Sequence, residues 1–243
     1  MLVAASVRLA THLNAVRHGL IGVDVAARTV VADQVAHHVV DTDGLLGLDP
    51  FGANELASAV SAATMLINSD WMICLPRPGA PAGLSGPGLA AAIDTGVGVI
   101  PVSGGVVMLP VAVGKAIQWS VHAAGRTGPV PDSYEAERVL SETILLAGHQ
   151  LAELTVAESL LPDRHGRDRR GAGNPVALAP GYLARKRIAA DRSLRLLTAC
   201  DSAMADDTGV VSSFELQTRS RLLRRLRDAA ADALAAAVVW PEG

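Results

Sequence analysis

The stretch Gly96–Ala124, GVGVIPVSGGVVMLPVAVGKAIQWSVHAA, decides the fold of this chain. It contains three runs rich in valine and isoleucine, GVGVIPV, GGVVMLPVAV and AIQWSVHAA, separated by the short breaks SGG and GK. Valine and isoleucine favour strands, and short glycine-containing breaks are typical of tight turns. The stretch therefore predicts a meander of antiparallel strands. The third run alternates, so that Ile117, Trp119 and Val121 would face one side of the sheet, and Gln118, Ser120 and His122 the other.

The residues before the meander predict three helices and one strand. Apolar residues at helical spacing indicate helices over Val3–His18, Ala27–Val40 and Ala53–Ile67. Gly19 follows the first helix, where a C-terminal glycine is expected. The apolar run Trp71–Leu75 predicts a strand.

The composition changes near Pro129-Val130-Pro131, after which long segments with helical spacing follow. Asp132 and Glu135 have the spacing of a capping box and predict a helix that runs to about Leu160. Beyond a polar loop at 162–180, two more helices are predicted, over Gly181–Met204 and from a second capping box at Ser212 and Glu215 to Val239. Because their apolar residues follow a three-four spacing, we expect these two helices to pack as an antiparallel hairpin.

These elements predict an α+β fold. It combines a small, mainly antiparallel sheet with flanking helices and a C-terminal helical layer containing a long antiparallel hairpin. We expect residues 1–131 to form a mixed α+β region and residues 132–243 to form a helical region that packs on the first as one compact unit.

Composition and charge exclude several classes of protein. The chain has 243 residues, half of them apolar, a net charge of −3 and only 3% aromatic residues, a balance that disfavours nucleic-acid binding. Its two cysteines suggest neither a disulfide framework nor a zinc site, so we expect reduced, buried thiols in a cytoplasmic protein. The long uncharged run Thr95–Gly114 contains two prolines and a glycine pair, which oppose a membrane helix, so no membrane association is expected.

The loop Pro76–Gly88, PRPGAPAGLSGPG, is a candidate anion-binding site. It lies between a predicted strand and an alanine-rich helix, with Pro87 in the expected first turn and Ser85 or Gly86 as the cap. Free amides at a helix start attract anions, and Arg77 could add a bidentate contact beside the backbone of Gly86 and Gly88. The alternative is a rigid connection, because the loop matches no phosphate-binding motif and its prolines lack amide donors.

Three other patterns have both a catalytic and a structural interpretation. Two DTG triplets, at residues 94–96 and 207–209, are typical of two-lobed aspartic proteases. Here the first ends a predicted helix and the second lies in the turn of a helical hairpin, whereas that family needs both on matching β lobes. Glu135, Glu142, His149 and Glu153 share one side of a helix, where they could bind a metal. Leu140, Ile144, Ala147, Leu151 and Leu154 lie on the other side, which makes the acidic stripe the solvent face of an amphipathic helix.

Two further groups of polar residues have simpler explanations. His37-His38 with Asp41 and Asp43 resembles a metal cluster, but adjacent histidines on a helix diverge by about 100°, which favours an ordinary polar helix end. The arginine-rich run 161–175 could bind an acidic partner, although its mixed charges are typical of a solvated loop. We expect no metal and no cofactor.

His122 is the best catalytic candidate in the sequence. It lies on the polar side of its predicted strand near Ser120 and Gln118, where it could act as an acid or base. A hydrogen-bonded or solvated histidine is the alternative. The chain contains no GxSxG, SxxK or HExxH motif, no P-loop and no dinucleotide fingerprint, so the sequence leaves open whether it is an enzyme.

The order of segments resembles that of a conserved family from high-GC Gram-positive (actinobacterial) bacteria. The matching segments are ICLPRPGAPAGLSGPG followed by LAAAIDTG, AIQWSVHAAG, PDSYEAERVLSETILLAGHQLAEL, and the hairpin LLTACDSAMADDTGVVSSFELQTRSRLLRRLRDAAADALAAA. None of these segments is a catalytic signature. The resemblance implies a cytoplasmic protein of unknown function, and it supplies no site residues.

Two functional hypotheses follow. The first is a non-enzymatic cytoplasmic protein for binding or scaffolding, which forms a homo-oligomer through its C-terminal helices. The second is an enzyme or sensor that binds a small anionic metabolite at the Pro76–Gly88 loop, with Arg77 holding the anion and His122 acting as acid or base.

Overall fold

The computed structural model describes residues 1–32, 34–158, 178–205 and 213–241, with the side chains of all of these except 151–158 and 213–216. Within them the helices are α1 Leu2–Arg17, α2 Val23–Val31, α3 Leu56–Leu66, α4 Leu89–Thr95, α5 Ser133–Glu158, α6 Ala184–Ala205 and α7 Ser213–Val238. The strands are β1 His37–Val40, β2 Asn54–Glu55, β3 Trp71–Cys74, β4 Leu84–Ser85, β5 Gly98–Pro101, β6 Gly105–Val113 and β7 Ala116–Arg126.

The strands form one mixed sheet in the order β2-β1-β7-β6-β5-β3, and β4 pairs with the end of β7. The meander β5-β6-β7 is antiparallel, as the sequence predicts. Among the strands that the structure describes, one pair is parallel, β1 with β7, with His37 opposite Ile117 and Val40 opposite Ser120. Because the other pairs are antiparallel, the sheet is mainly antiparallel and the predicted α+β class is confirmed.

The predicted helix over Ala27–Val40 is wrong. Helix α2 covers Val23–Val31 and ends at Ala32, whose φ of +45° is incompatible with a continuing helix. The residues His37–Val40 form β1, which is hydrogen-bonded to β2 on one side and to β7 on the other. Pairing with a strand about 80 residues further along the chain overrides the local helical spacing.

The sheet is covered on both faces near β3, β5 and β6. Helices α1, α2 and α3 pack against one another, and α1 contacts β3, β5 and β6. On the opposite face α4 contacts β6 and a core forms around Ala92. The buried members of this second core are Met72, Cys74, Leu84, Ala92, Ile100, Val107, Leu109 and Ala124.

The chain divides into two compact units. The first consists of Met1–Val130, Val176–Arg187 and Val238–Gly243, and the second of Pro131–Pro175 and Ile188–Ala237. In the first unit, Lys186 at the start of α6 donates to the carbonyl oxygen of Val239, just after the end of α7 (3.0 Å). In the second unit, Arg227 of α7 donates to Asp201 near the end of α6 (2.5 Å). Together the two contacts show that α6 and α7 run antiparallel, which confirms the predicted hairpin.

The structure bears on the predictions for the cysteines and for membrane-spanning helices. Both cysteines are free and buried, and burial raises the pKa of the Cys74 thiol to about 12. Such a thiol stays protonated near neutral pH and is a poor nucleophile. Among the helices that the structure describes, none combines the length and the apolar character needed to cross a bilayer.

Candidate functional site

One face of the sheet carries a row of polar side chains across β2, β1 and β7. Glu55 lies opposite His38, His38 opposite Gln118, and Gln118 opposite Val111. Because directly paired residues point to the same side of a sheet, these four side chains share one face. His38, Glu55 and Val111 are exposed and Gln118 is half-buried.

The next positions of the same face contain the sequence-predicted histidine. Ser120 lies opposite Leu109, and His122 lies opposite Val107. The Nε2 atom of His122 is 3.0 Å from Oγ of Ser120, and both side chains are half-buried. The predicted alternation of β7 is therefore confirmed, with Ile117, Trp119 and Val121 buried on the other side. The hydroxyl–imidazole pair could bind a polar ligand or transfer a proton.

The loop after β3 lies along the end of β7, beside His122. Leu84 and Ser85 pair with Arg126 and Gly125. A Cβ at Gly88 would stand 3.0 Å from Cβ of His122 and 3.1 Å from the carbonyl oxygen of Ala123. The structure therefore brings the predicted Ser85, Gly86 and Gly88 to the same strand as His122.

The glycines of this loop are explained by its contact with β7. Gly83 has a φ of +74°, and a Cβ there would meet the carbonyl oxygen of Thr127 at 2.8 Å. Gly86 has a φ of +87°, and a Cβ there would approach the amide nitrogen of Gly125 to 3.2 Å. Backbone this close to backbone leaves no room for a side chain. The glycine-rich composition therefore does not by itself require a ligand.

The helix after the loop begins later than the sequence predicts. Its N-cap residue is Gly88, not Ser85 or Gly86, and α4 has seven residues, Leu89–Thr95. The amide of Gly88 donates to Ala123 and the amide of Leu89 donates to Gly86. From the sequence alone, the amides at this helix start are possible donors to an anion. In the structure, these two amides donate to backbone carbonyl oxygens instead.

Arg77 lies at the beginning of the loop in a tight turn. Its amide donates to the carbonyl oxygen of Ala80, and the amide of Ala80 donates back, each at 2.9 Å. The Arg77 side chain is half-buried.

A second histidine site lies on the other face of the sheet. The sequence singles out His37 only as part of a polar cluster and does not predict its hydrogen bonds to Trp119 and Gln34. The indole N–H of Trp119 donates to Nδ1 of His37 (3.2 Å), and Nε2 of His37 hydrogen-bonds the side-chain oxygen of Gln34. The ring therefore accepts at one nitrogen and donates at the other, which fixes the neutral tautomer. Burial, with the nearby charges of Arg8 and His38, lowers the pKa of His37 to about 4. The sequence HHVV does not alternate between polar and apolar residues, so it contains no local signal for this arrangement.

The histidine and aspartate residues at 37–43 do not come together as a cluster, and the polar helix end favoured by the sequence is wrong. His37 and His38 lie on a strand and not at a helix end, and they point to opposite faces. The buried carboxylate of Asp41 accepts the amides of Leu45 and Leu46, each at 2.8 Å. In the part of the chain that the structure describes, no group of three or more His, Cys, Asp or Glu residues is placed to hold a metal ion.

Helix α5 has the amphipathic pattern that the sequence predicts, with Leu140 and Ala147 buried and Glu135, Glu142 and His149 exposed. Glu153, Leu151 and Leu154 lie outside the described side chains. Asp132 accepts the amide of Glu135 (2.7 Å), as expected for the cap. Glu135 does not complete the capping box, because both of its oxygens accept from Arg138. Arg138 also pairs with Glu142, so the three residues form a charged cluster, Glu135–Arg138–Glu142.

Large apolar side chains are exposed on both sides of this cluster. Tyr134 is 79% exposed and Leu145 is 70% exposed, and both lie on one side of the charged cluster. Leu146 and Val139 are exposed on the other side. In contrast, the apolar residues of the described part of α7, from Leu222 to Val238, are buried, and its exposed positions include Arg221, Arg224 and Arg225.

The remaining sequence motifs are only partly described. Asp94-Thr95-Gly96 ends α4, where Gly96 adopts a φ of +75°, so this triplet is a helix C-cap. The second DTG triplet, the arginine-rich run 161–175 and the predicted cap at Ser212 lie outside the described residues.

Comparisons with known proteins identify one family. The model of the N-terminal domain of the Rv1486c-like protein matches residues 6–134, and the model of its C-terminal domain matches residues 134–235. Comparison with curated proteins and with solved structures gives no match.

Proposed function

The chain belongs to the family of Rv1486c-like proteins, and we propose that it is a non-enzymatic cytoplasmic binding or scaffolding protein that self-associates through α5. The family name is mycobacterial, which supports the actinobacterial origin expected from the resemblance. The observation that carries the proposal is the row of exposed apolar side chains on α5.

The arrangement of these side chains suits a symmetric pair of helices. Tyr134 and Leu145 are eleven residues apart, which is close to three helical turns and about 16 Å along the axis. They therefore lie on the same side of α5. Along the helix axis, Tyr134 comes one residue before the charged cluster and Leu145 three residues after it. In an antiparallel pair of α5 helices, Tyr134 of one copy would meet Leu145 of the other and the reverse, which is the pattern of a two-fold interface.

The charged cluster between them is already satisfied within one helix. Glu135 and Glu142 are both paired with Arg138, and the guanidinium holds the pKa of Glu135 below its ordinary value. The cluster therefore does not need a charged partner from another protein. Burial of each flanking apolar side chain would contribute about 1.5–3 kcal/mol.

This geometry moves the proposed interface from the C-terminal hairpin to α5. From Leu222 to Val238 the apolar residues of α7 are buried, so this part of the helix has little apolar surface left for a partner. Helix α5 belongs to the same helical region, and its exposed residues take over this role.

Light scattering coupled to gel filtration tests the proposal. Leu145→Glu places a charge in the proposed interface, and we expect it to convert a dimer into a monomer. Val113→Glu is the matched control, because Val113 is also an exposed apolar residue but lies in β6. A wild-type chain that is monomeric at micromolar concentration and carries no bound partner overturns the proposal.

The second candidate function is binding of a small anion beside the Pro76–Gly88 loop. It is favoured by the contact between Gly88 and His122, which joins the loop to the histidine predicted to act on a ligand. In this proposal Arg77 and the His122–Ser120 pair hold the anion, with Ser85, Gly86 and Gly88 shaping the loop. Thermal stabilisation by inorganic phosphate tests it: the response should disappear in Arg77→Ala, and an unchanged response excludes the site.

A further inference from the structure

The first unit presents one aromatic side chain almost entirely to solvent. Phe51 is 98% exposed and lies in the turn between β1 and β2. Single exposed apolar residues are common on protein surfaces. A phenylalanine with nearly its whole ring in water is informative when the backbone beneath it is fixed, because a fixed aromatic residue loses little entropy on binding.

The backbone beneath Phe51 is held by hydrogen bonds at both ends of the turn. The amide of Phe51 donates to the carboxylate of Asp49 (3.0 Å). The side-chain amide of Asn54 donates to the carbonyl oxygens of Asp49 (3.0 Å) and Val39 (3.2 Å), and its oxygen accepts the amide of Asp49 (3.2 Å). Asn54 therefore anchors the turn to β1, and Pro50 restricts the backbone further. The turn is pre-organised to present the ring.

More exposed apolar surface lies at the end of α3, next to the same loop. Met65 and Leu66 are exposed. The Cδ1 atom of Leu66 lies 3.9 Å from the position of a Cβ at Gly47, four residues before Phe51. The loop from Gly47 to Phe51 and the end of α3 with Met65 and Leu66 are together named here the Phe51 surface.

The surroundings of the Phe51 surface are acidic. Asp43, Asp49 and Glu55 are exposed, and residues 41–67 contain no lysine, arginine or histidine. An acidic surface repels nucleic acids and anionic membranes and attracts cationic partners. The partner that fits is therefore a protein segment with apolar side chains flanked by lysine or arginine.

We propose that the Phe51 surface is a docking site for a basic amphipathic protein segment, with Phe51 as its anchor. Exposed aromatic residues that enter an apolar pocket on a partner commonly dominate the energy of an interface. The acidic residues around Phe51 would accelerate association and select for the basic partner. None of its residues belongs to α5, so the proposal does not rest on self-association through that helix.

The experiment uses two fluorescent synthetic helices, one of leucine and lysine and one in which glutamate replaces lysine. Fluorescence anisotropy with the full chain should show binding of the lysine peptide, weakened by added salt, and binding at least ~10-fold weaker for the glutamate peptide. Phe51→Ala should lower the affinity for the lysine peptide ~10-fold. Because the ring contacts mainly solvent, we expect this variant to keep the wild-type Tm.

Control variants separate the anchor from general electrostatic attraction. Val113→Ala removes an exposed apolar side chain elsewhere in the first unit and should leave the affinity unchanged. The double variant Glu55→Gln, Asp43→Asn should lower the affinity for the lysine peptide and make this affinity less dependent on salt. Equal affinity of wild type and Phe51→Ala overturns the proposal, and so does equal affinity for the two peptides. If Phe51→Ala changes only the oligomeric state of the chain, the surface binds a second copy and the proposed partner is wrong.

Discussion

The side chain of Asn14 satisfies both backbone groups of Trp71. Its Nδ2 donates to the Trp71 carbonyl oxygen (2.8 Å), and its Oδ1 accepts the Trp71 amide (2.6 Å). Trp71 faces Pro101 across the sheet, and the amide of Val102, just after β5, donates to the carbonyl oxygen of Asp70, just before β3 (2.7 Å). The two backbone groups of Trp71 therefore point to the open edge of the sheet. Asn14 of α1 closes this edge at one residue, as a neighbouring strand would.

The same amide continues into a chain of hydrogen bonds. Nδ2 of Asn14 also donates to the Tyr182 hydroxyl (2.9 Å), which donates to the carbonyl oxygen of Val238 (2.7 Å). The edge of β3 is thereby connected to the end of α7 within the first unit. All of these side chains are buried, so a missing partner has no water to replace it.

Substitution of Asn14 should destabilise the chain strongly. Asn14→Ala leaves two buried backbone groups of Trp71 without partners, and we expect a loss of about 2–4 kcal/mol in the free energy of unfolding. Urea denaturation followed by circular dichroism measures it. Asn68→Ala is the control, because Asn68 is exposed and its side-chain oxygen accepts a hydrogen bond from the Arg17 side chain, not from a buried backbone group. Equal losses in the two variants would mean that the Asn14–Trp71 pair has no special role.

Acid should destabilise the fold through His37. Its pKa is lowered from 6.5 to about 4, so the unfolded chain takes up a proton that the folded chain excludes. The stability due to neutral His37 is therefore complete above pH 6.5 and is lost as the pH falls towards 4. We expect the Tm of the wild type to decrease by several degrees over this interval.

A variant isolates this effect from other titrations. In His37→Gln the decrease of Tm between pH 6.5 and 4 should be smaller, although the variant is less stable at pH 7. His149→Gln replaces an exposed histidine of α5 and should keep the wild-type pH dependence. If the decrease of Tm between pH 6.5 and 4 is the same in His37→Gln and the wild type, another group is responsible for it.

Two glycines should respond to alanine in opposite directions. Gly83→Ala places a methyl group 2.8 Å from the carbonyl oxygen of Thr127 at a φ of +74°, which should destabilise by about 1–3 kcal/mol. Gly148 lies in α5 with open space around it, and Gly148→Ala should stabilise by about 0.5–1 kcal/mol. Thermal denaturation of both variants measures the difference. Stabilisation by Gly83→Ala would show that the loop is not held against β7.

Local patterns predicted the elements whose structure depends on near neighbours. The meander β5-β6-β7 connects strands through short glycine turns, so its pairing is encoded within Gly96–Ala124. The end of α1 was predicted from Gly19, which adopts a φ of +69° and donates to Val16, while Leu20 donates to Ala15. These two bonds form a Schellman motif, which depends on a few adjacent residues.

Distant pairing explains what the sequence could not predict. Strand β1 exists because His37–Val40 pairs with β7, about 80 residues away, and no local signal shows this partner. The polar row Glu55–His38–Gln118 and the His37–Trp119 bond follow from the same pairing. In the candidate site, the alternation of β7 predicted the position of His122. The glycine-rich sequence 83–88 is compatible with a ligand site and with close packing on β7. The sequence alone therefore could not predict that these glycines pack on β7.

The mass of the native chain tests the central claim most directly. Native mass spectrometry at micromolar concentration should give a dimer with twice the chain mass of 25.0 kDa. In Tyr134→Glu the observed species should be the monomer, with the mass of one chain. Such a result places the interface on α5. A wild-type mass of 25.0 kDa with no bound partner, or a dimer that persists in both Tyr134→Glu and Leu145→Glu, would contradict the proposed self-association through α5.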